Sequence, residues 1–395
     1  MDVTRILRIP LIFLLLLGVS CGNKNEHPEN QDEPDHAEQT QDKKEFQNEG
    51  KAIQFAQGFN LLDKGNYQVL KIHEPWLGSD QSYNYLLLQK DQEIPEGVKY
   101  DQIIRVPVNR IVVTSTTHIA ALEILKEEET VIGFPELDHI SSKRTRARIH
   151  AGEIQELGVN EALNTEILLA LQPELVVGFS IDGSNRTFSN IEQAGIPVIF
   201  NADWMEQSPL GKAEWIKFFG ALVGKQEAAS QFFERVVTEY ENAVELAKQA
   251  ENIPSVLSGS MFQDQWFLPA GESWHARFIE DANADYLYAE SAGTGSLSLS
   301  IESVLSKGQD ADFWLGPAQF SSYAELEAAS RHYTRFKAFQ NQQVYTYSAV
   351  RGETGGVVFF ELAPNRPDLV LKDLISIFHP DLLPEYEPEF YTPLR

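Results

Sequence analysis

Residues 165–178 read TEILLALQPELVVG and residues 300–316 read SIESVLSKGQDADFWLG, and the two stretches repeat one pattern. In each, a Ser or Thr stands one or two residues before a Glu, an apolar helical turn follows, the helix breaks, and a short apolar strand ends in Gly. The matched acids are Glu166 and Glu302. A carboxylate in the first turn of a helix is favoured by the helix dipole and is free to face outward. Two such units more than a hundred residues apart predict two similar lobes, each showing one acid on its surface, an arrangement suited to docking on a partner.

Outward from these units, strands alternate with helices. Tyr67–Ile72 and Tyr83–Gln89 read as an opening hairpin, Ile103–Val113 as a further extended run, and Thr114–Thr117 as the hydroxyl-rich opening of a helix. Val131–Gly133, the 165–178 unit and Gly195–Phe200 continue the alternation. Between Trp204 and Ile253 the pattern becomes helical throughout. Ala229, Phe232, Phe233, Val236, Val237, Tyr240, Val244 and Ala247 fall on one stripe, as expected of a rigid connector. Alternation returns after Pro254 and ends with a helix over Pro367–Phe378 that stops at His379-Pro380. The expected class is α/β: two lobes, each a central mainly parallel sheet flanked by helices, joined by a rigid backbone helix. The expected division is residues 51–205 for the first lobe, 206–253 for the connector and 254–395 for the second lobe.

The N-terminus reads as a leader. Arg5 and Arg8 precede an apolar run from Ile9 to Val19, the length of a signal-peptide core and too short to span a bilayer. The run leads into Cys21, the only cysteine of the chain, so neither an internal disulfide nor a thiolate metal cage is possible. The layout, residues 1–20 followed by Cys21, is that of a bacterial lipoprotein signal with Cys21 as the lipidated residue. Residues 22–50 carry nine acids against three lysines and one large apolar side chain, Phe46, and read as a flexible acidic tether that holds the protein at the membrane. A net charge of −26 disfavours nucleic acid and anionic lipid as partners.

Catalytic and metal motifs find little support. Gly178–Gly183 (GFSIDG) approaches the nucleophile elbow of hydrolases, but Asp182 stands where the tight turn needs its second Gly, which argues against Ser180 as a nucleophile. The nine histidines form no helical i,i+4 pair, so no helix-borne metal site is expected. Phe179, Trp204, Trp266 and Trp274 lie near strand ends or helix starts, where α/β sheets place their clefts, and would wall a bulky ligand; ordinary core packing is the alternative. Lys143, Arg144, Arg146 and Arg148 form a basic cluster, and Arg351 sits in the loop 348–356. Arginine on such a loop suits a carboxylate, catecholate or phosphate, and surface charge balance is the competing account.

RIVVTSTTHIAALEIL (110–125), NTEILLALQPELVVGF (164–179), AGIPVIF (194–200), SPLGKAEWIKFFGALVG (208–224), SLSIESVL (298–305) and RPDLVLKDLISIFHP (366–380) carry a further reading. Over residues 105–380 the chain resembles the solute-binding proteins of ABC importers for ferric siderophores, heme and cobalamin. The resemblance implies that a glutamate on each lobe, Glu166 and Glu302, meets arginines of an ABC permease. It also implies ligand contacts from Thr116, Thr117, Phe179, Trp204 and the stretch Trp266–Trp274, with no catalysis and no resident cofactor. The cargo would be a metal chelate carried by a periplasmic, lipid-anchored monomer: a ferric siderophore first, heme or cobalamin as the alternative. A hydrolase acting through Ser180 and a scavenger or sensor that never meets a permease are the readings from other classes. The hairpin 66–89 lies outside the shared stretch.

Overall fold

The computed structural model describes residues 53–180, 183 and 186–395. The leader, Cys21 and the tether lie outside the described residues. The opening hairpin is present but belongs to a larger unit: β1 (Phe59–Asp63), β2 (Gln68–Ile72) and β3 (Tyr83–Gln89) pair antiparallel, and β4 (Gln102–Val106) adds parallel to β3. The expected run Ile103–Val113 is divided. Pro107 offers no N–H to a ladder, the chain turns with Val108 N–H donating to Leu222 O at 2.9 Å, and β5 (Ile111–Val113) starts a second sheet.

That second sheet is the core of the first lobe. β6 (Val131–Phe134) and β7 (Gln155–Glu156) extend it on one side; after a short hairpin of β8 (Gly158–Val159) and β9 (Ala162–Leu163), β10 (Leu175–Gly178) and β11 (Val198–Phe200) extend it on the other. The order is β11-β10-β5-β6-β7, all parallel. All of its strands but the exposed edge strand β7 are buried apolar runs, as a parallel sheet covered on both faces requires.

The second lobe repeats the plan with a different order. β12 (Ser255–Ser258) is followed by β13 (Ser260–Phe262), β14 (Gln265–Pro269), β15 (Asp285–Tyr286) and β16 (Ser296–Leu299), then by β17 (Phe313–Leu315), β18 (Val344–Thr346) and β19 (Thr392–Pro393). The main sheet runs β15-β12-β17-β18-β19, parallel except for the edge strand β19. β13, β14 and β16 form a separate antiparallel sheet that the sequence reading did not separate from the main one.

Between the lobes, the helical stretch resolves into three helices, Pro209–Glu214, Ile216–Leu222 and Gln226–Ala247. Only the last, 22 residues long, has the length of a connector. Its buried residues Ala229, Phe233, Val236, Tyr240, Ala243 and Ala247 recur every three or four positions and pack against the helix Pro367–Phe378, whose bounds match the sequence expectation.

Buried carboxylates tie distant segments to this frame. Glu214, 0% exposed, accepts the backbone N–H groups of Gln54, Phe55 and Ala56 at 2.6–3.0 Å, with Lys217 Nζ at 2.7 Å. Glu206 accepts those of Gln57 and Gly58 and the indole N–H of Trp215. The start of the folded chain is thereby fixed to the helices that precede the connector. We expect Glu214→Ala, which strands three donors and Lys217, to cost about 3–5 kcal/mol. Thermal melting and limited proteolysis near residues 53–58 would read the change, with exposed Glu302→Ala moving stability by less than about 0.5 kcal/mol. Unchanged melting and cleavage in Glu214→Ala would refute the clamp.

Candidate functional site

In open α/β sheets a ligand crevice forms at the carboxyl ends of the strands, where successive connections leave in opposite directions. In the first lobe this point falls between β5 and β10, and in the second between β12 and β17. Thr114, just after β5, accepts the N–H of Phe179, just after β10, at 2.8 Å, so one hydroxyl closes the mouth of the first switch point. Two cavities open at these places. One, of about 640 Å³, lies between the lobes and is lined by Thr114–Thr116, Glu136, His139 and Phe179 from the first lobe and by Ala318, Tyr347, Arg351 and Phe360 from the second. The other, of about 620 Å³, lies at the second switch point and is lined by Ser258–Ser260, Trp274, His275, Leu315 and Gly316. Ala318 and Tyr347 line both, so the two are chambers of one cleft.

Thr116, Phe179 and Arg351 line the interlobe chamber and Trp274 the other, as the sequence reading placed them in a cleft. Arg351 is exposed; its Nε donates to Ser348 O at 2.7 Å, and it makes no ion pair among the described residues. Trp266 is a correction: it is 0% exposed and packs against Trp314, Tyr333 and Phe336, with its indole N–H given to Ser258 O. Period-two alternation on β14 turns it inward, while its neighbour Phe267 faces the chamber.

Thr117 and Trp204 line neither chamber. The Thr117 hydroxyl donates to Asp203 Oδ2 at 2.7 Å, and Trp204 backs Phe179 edge to face at 5.9 Å, so both support the wall from behind. Ser180 is 4% exposed. Among the described residues no group of three or more His, Cys, Asp or Glu is placed to hold a metal ion. Missed from the sequence were Tyr347, His139, Phe360 and Phe262. Tyr347 was legible in principle, since it follows a strand of the second sheet.

The polar support under the cleft joins the lobes. Lys212, buried on the helix Pro209–Glu214, donates to the carbonyls of Asp203 and Trp204 and stands 4.9 Å from the ring centre of Trp274. Burial pulls its ammonium down to about 8, against the pull of Asp203 and Glu206. Burial, then the Lys212 charge, lowers His275 to about 4. The basic cluster is mostly consumed: Arg144 pairs with Glu128 and Arg148 with Glu153, while Arg146 crosses to Glu353 of the second lobe at 2.9 Å.

Arg146 is part of a second crossing between the lobes, beside the interlobe chamber. Thr354 Oγ1 donates to Asp138 O, and Glu361, buried on the second-lobe side, accepts Ser141 N–H, Ser141 Oγ–H and Ser142 N–H. The loop passes so close that a Cβ at Gly356 would lie 2.2 Å from His139 O and one at Gly352 2.6 Å from Ser141 Cα. Only glycine fits there.

Glu166 and Glu302 are both exposed in the first turns of the helices Thr165–Leu171 and Ile301–Gly308, capped by Asn164 and Ser300 rather than by Thr165 in the first unit. Each helix leads into a strand flanking a switch point, and neither acid is ion-paired among the described residues. Exposed Ile167, Leu169 and Val159 lie near Glu166 in sequence, giving the first-lobe acid an apolar neighbourhood.

His118 lies at the centre of the support, 0% exposed, its ring 5.2 Å from that of Phe219. Burial lowers its pKa to about 4 against the opposing pull of Asp203. The unfolded chain therefore binds a proton that the folded imidazole refuses. Stability present above pH 6.5 is lost as pH falls toward about 4, on the order of 3 kcal/mol from this group. Denaturant midpoints across that window should show a shallower acid loss in His118→Gln than in the wild type; equal slopes would contradict the assignment.

Comparisons agree with this architecture. A relative from Methanocaldococcus jannaschii, named as an uncharacterized lipoprotein, is 25% identical over 86% of this chain and 85% of its own. A second from the same organism, also named a lipoprotein, is 22% identical over 70% and 75%. Among solved structures, an ABC-type Fe3+-hydroxamate transport protein of Saccharomonospora viridis superposes with a TM-score of 0.55 at 16% identity, covering 78% of this chain and 98% of that one. A periplasmic heme-binding protein of Vibrio cholerae does so at 0.53 and 17%, covering 67% and 99%. These likenesses are of fold. The family model described as periplasmic binding protein matches residues 111–350, a span that contains both switch points, the connector and most of the cleft, and the chain belongs to that family.

Proposed function

We propose that the chain is the substrate-binding protein of an ABC importer, held at the membrane by lipid on Cys21, that takes a metal chelate into the cleft between its lobes and passes it on unchanged. The observation that carries this is the interlobe chamber, which receives side chains from both lobes and presents the guanidinium of Arg351, free of ion pairs among the described residues, to whatever enters. A ferric siderophore is the first choice of cargo and heme or cobalamin the second. The names of the structural neighbours, an Fe3+-hydroxamate transport protein and a heme-binding protein, support an iron-containing ligand, and those of the archaeal relatives support the lipid anchor. Glu166 and Glu302 are the proposed contacts to permease arginines, one from each lobe. The 22-residue helix and the crossing at Glu361 favour a small change of lobe angle on binding.

Titration of the purified protein with ferric chelates, heme and cobalamin should quench tryptophan fluorescence with at least one of them, since Trp274 lines the cleft and Trp204 backs its wall. No response to any would end the chelate reading. In cells carrying the cognate permease, Glu166→Lys combined with Glu302→Lys should abolish uptake while leaving ligand affinity within about twofold. Each exposed acid contributes little alone, so the double change should exceed either single one. Undiminished uptake by the double variant would remove the docking role.

A further inference from the structure

The two chambers differ in chemistry. Among the described residues, no Asp, Glu, Lys or Arg lines the chamber at the second switch point. Its polar side chains are the hydroxyl residues Ser258, Ser260, Ser273, Thr294, Ser296, Tyr347 and Tyr391, with the His275 imidazole and the Trp274 indole, and the rest of its wall is apolar. The interlobe chamber holds one guanidinium, Arg351, and one carboxylate, Glu136. Between the chambers stands a stack of rings: Tyr347 lies 4.4 Å from Phe359, which faces His275 and Trp274 at about 6 Å. Phe262, lining one chamber, is 68% exposed and Phe360, lining the other, 55% exposed.

Resting on the reading of this cleft as a ligand site, we infer that it selects a ligand of divided charge: a bulky neutral organic body in the hydroxyl-lined chamber and a single anionic group at one end, held by Arg351. A charged group carried into this chamber would lose its water and meet no counter-charge on the lining, at a cost of several kcal/mol, since Lys212 stands behind Trp274 and is already donating to the carbonyls of Asp203 and Trp204. Neutral amides, esters or hydroxamates find donors and acceptors there at no such cost. The low pKa of His275 leaves its ring neutral as well, so it adds no cation to that side. An anion at the other end gains a charge-assisted bond from the two terminal nitrogens of Arg351, for which no partner stands among the described residues. A complex with negative charge on every arm cannot be accommodated, because one arm at least must enter the neutral chamber of a protein whose net charge is −26.

The test compares three probes on the full chain by tryptophan quenching: a ferric trihydroxamate bearing one terminal carboxylate, its terminal carboxamide counterpart, and a trianionic ferric tricatecholate. The carboxylate probe should bind about tenfold or more tighter than the carboxamide, and the tricatecholate weakest. Arg351→Gln should bring the carboxylate-to-carboxamide ratio close to one, and Arg351→Lys should keep most of it, with melting curves confirming that both variants fold. Tightest binding by the tricatecholate, or a ratio that survives Arg351→Gln, overturns the inference. If none of the three binds, the ferric siderophore falls as first choice of cargo, and a metal-free pair, 1-pyrenebutyric acid and its amide, still tests the division of charge. A preference for the acid that depends on Arg351 supports it, and equal binding or no binding overturns it.

Discussion

A carboxylate taken out of water has to be given donors, and in this fold the donors are the backbone of another segment. Glu206 and Glu214 hold residues 54–58 against the helices before the connector, Glu361 holds Ser141 and Ser142 of the opposite lobe, and Asp373 holds the N–H groups of Glu389, Phe390 and Tyr391. Burial pushes Glu206, Glu361 and Asp373 above their ordinary values in spite of these bonds, a measure of how far they stand from solvent. A strap, a loop and a tail are fixed in this way, and the strap and tail add apolar contacts of their own through Phe55, Phe390 and Tyr391. The cleft depends on it, because the Glu361 contact sets one side of the interlobe chamber.

The two lobes reach the same end by different strand orders. In the first, β5 is the central strand with β6 and β7 on one side and β10 and β11 on the other; in the second, β15 lies beside β12 and the rest follow in sequence. Either order reverses direction once, and each reversal opens a crevice at the strand ends. A cleft built from two crevices has two chemistries available to it. In this chain one crevice is lined without charged residues and the other carries Arg351 and Glu136.

Much of this was legible in the sequence because it depends on local pattern. The doubled Glu units, the connector stripe and the final helix come from residues three or four apart, and their signals survive without tertiary context. Phe179 and Trp274 were expected at a cleft from their places near strand ends and helix starts, Arg351 from its loop and Thr116 from the family resemblance, and all four line the cleft. Trp266 failed that rule because a one-residue shift along β14 decides whether a ring faces the core or the cleft. The split of Ile103–Val113 and the separate sheet of β13, β14 and β16 were illegible for a related reason: which strands pair is settled by partners far away in the chain.

By itself, then, the sequence determined the α/β class, the two-lobe plan, the two outward acids and the arginine loop, since hydrophobic period, helix caps and strand ends are written in neighbouring residues. The tertiary structure alone decided which aromatics line the cleft, how the lobes are fastened across the Glu361 contact, and that one chamber is lined without charged residues while the other carries Arg351 and Glu136. Those features are made by groups that meet only after the chain has folded, Glu361 with Ser141 across 220 positions of sequence among them.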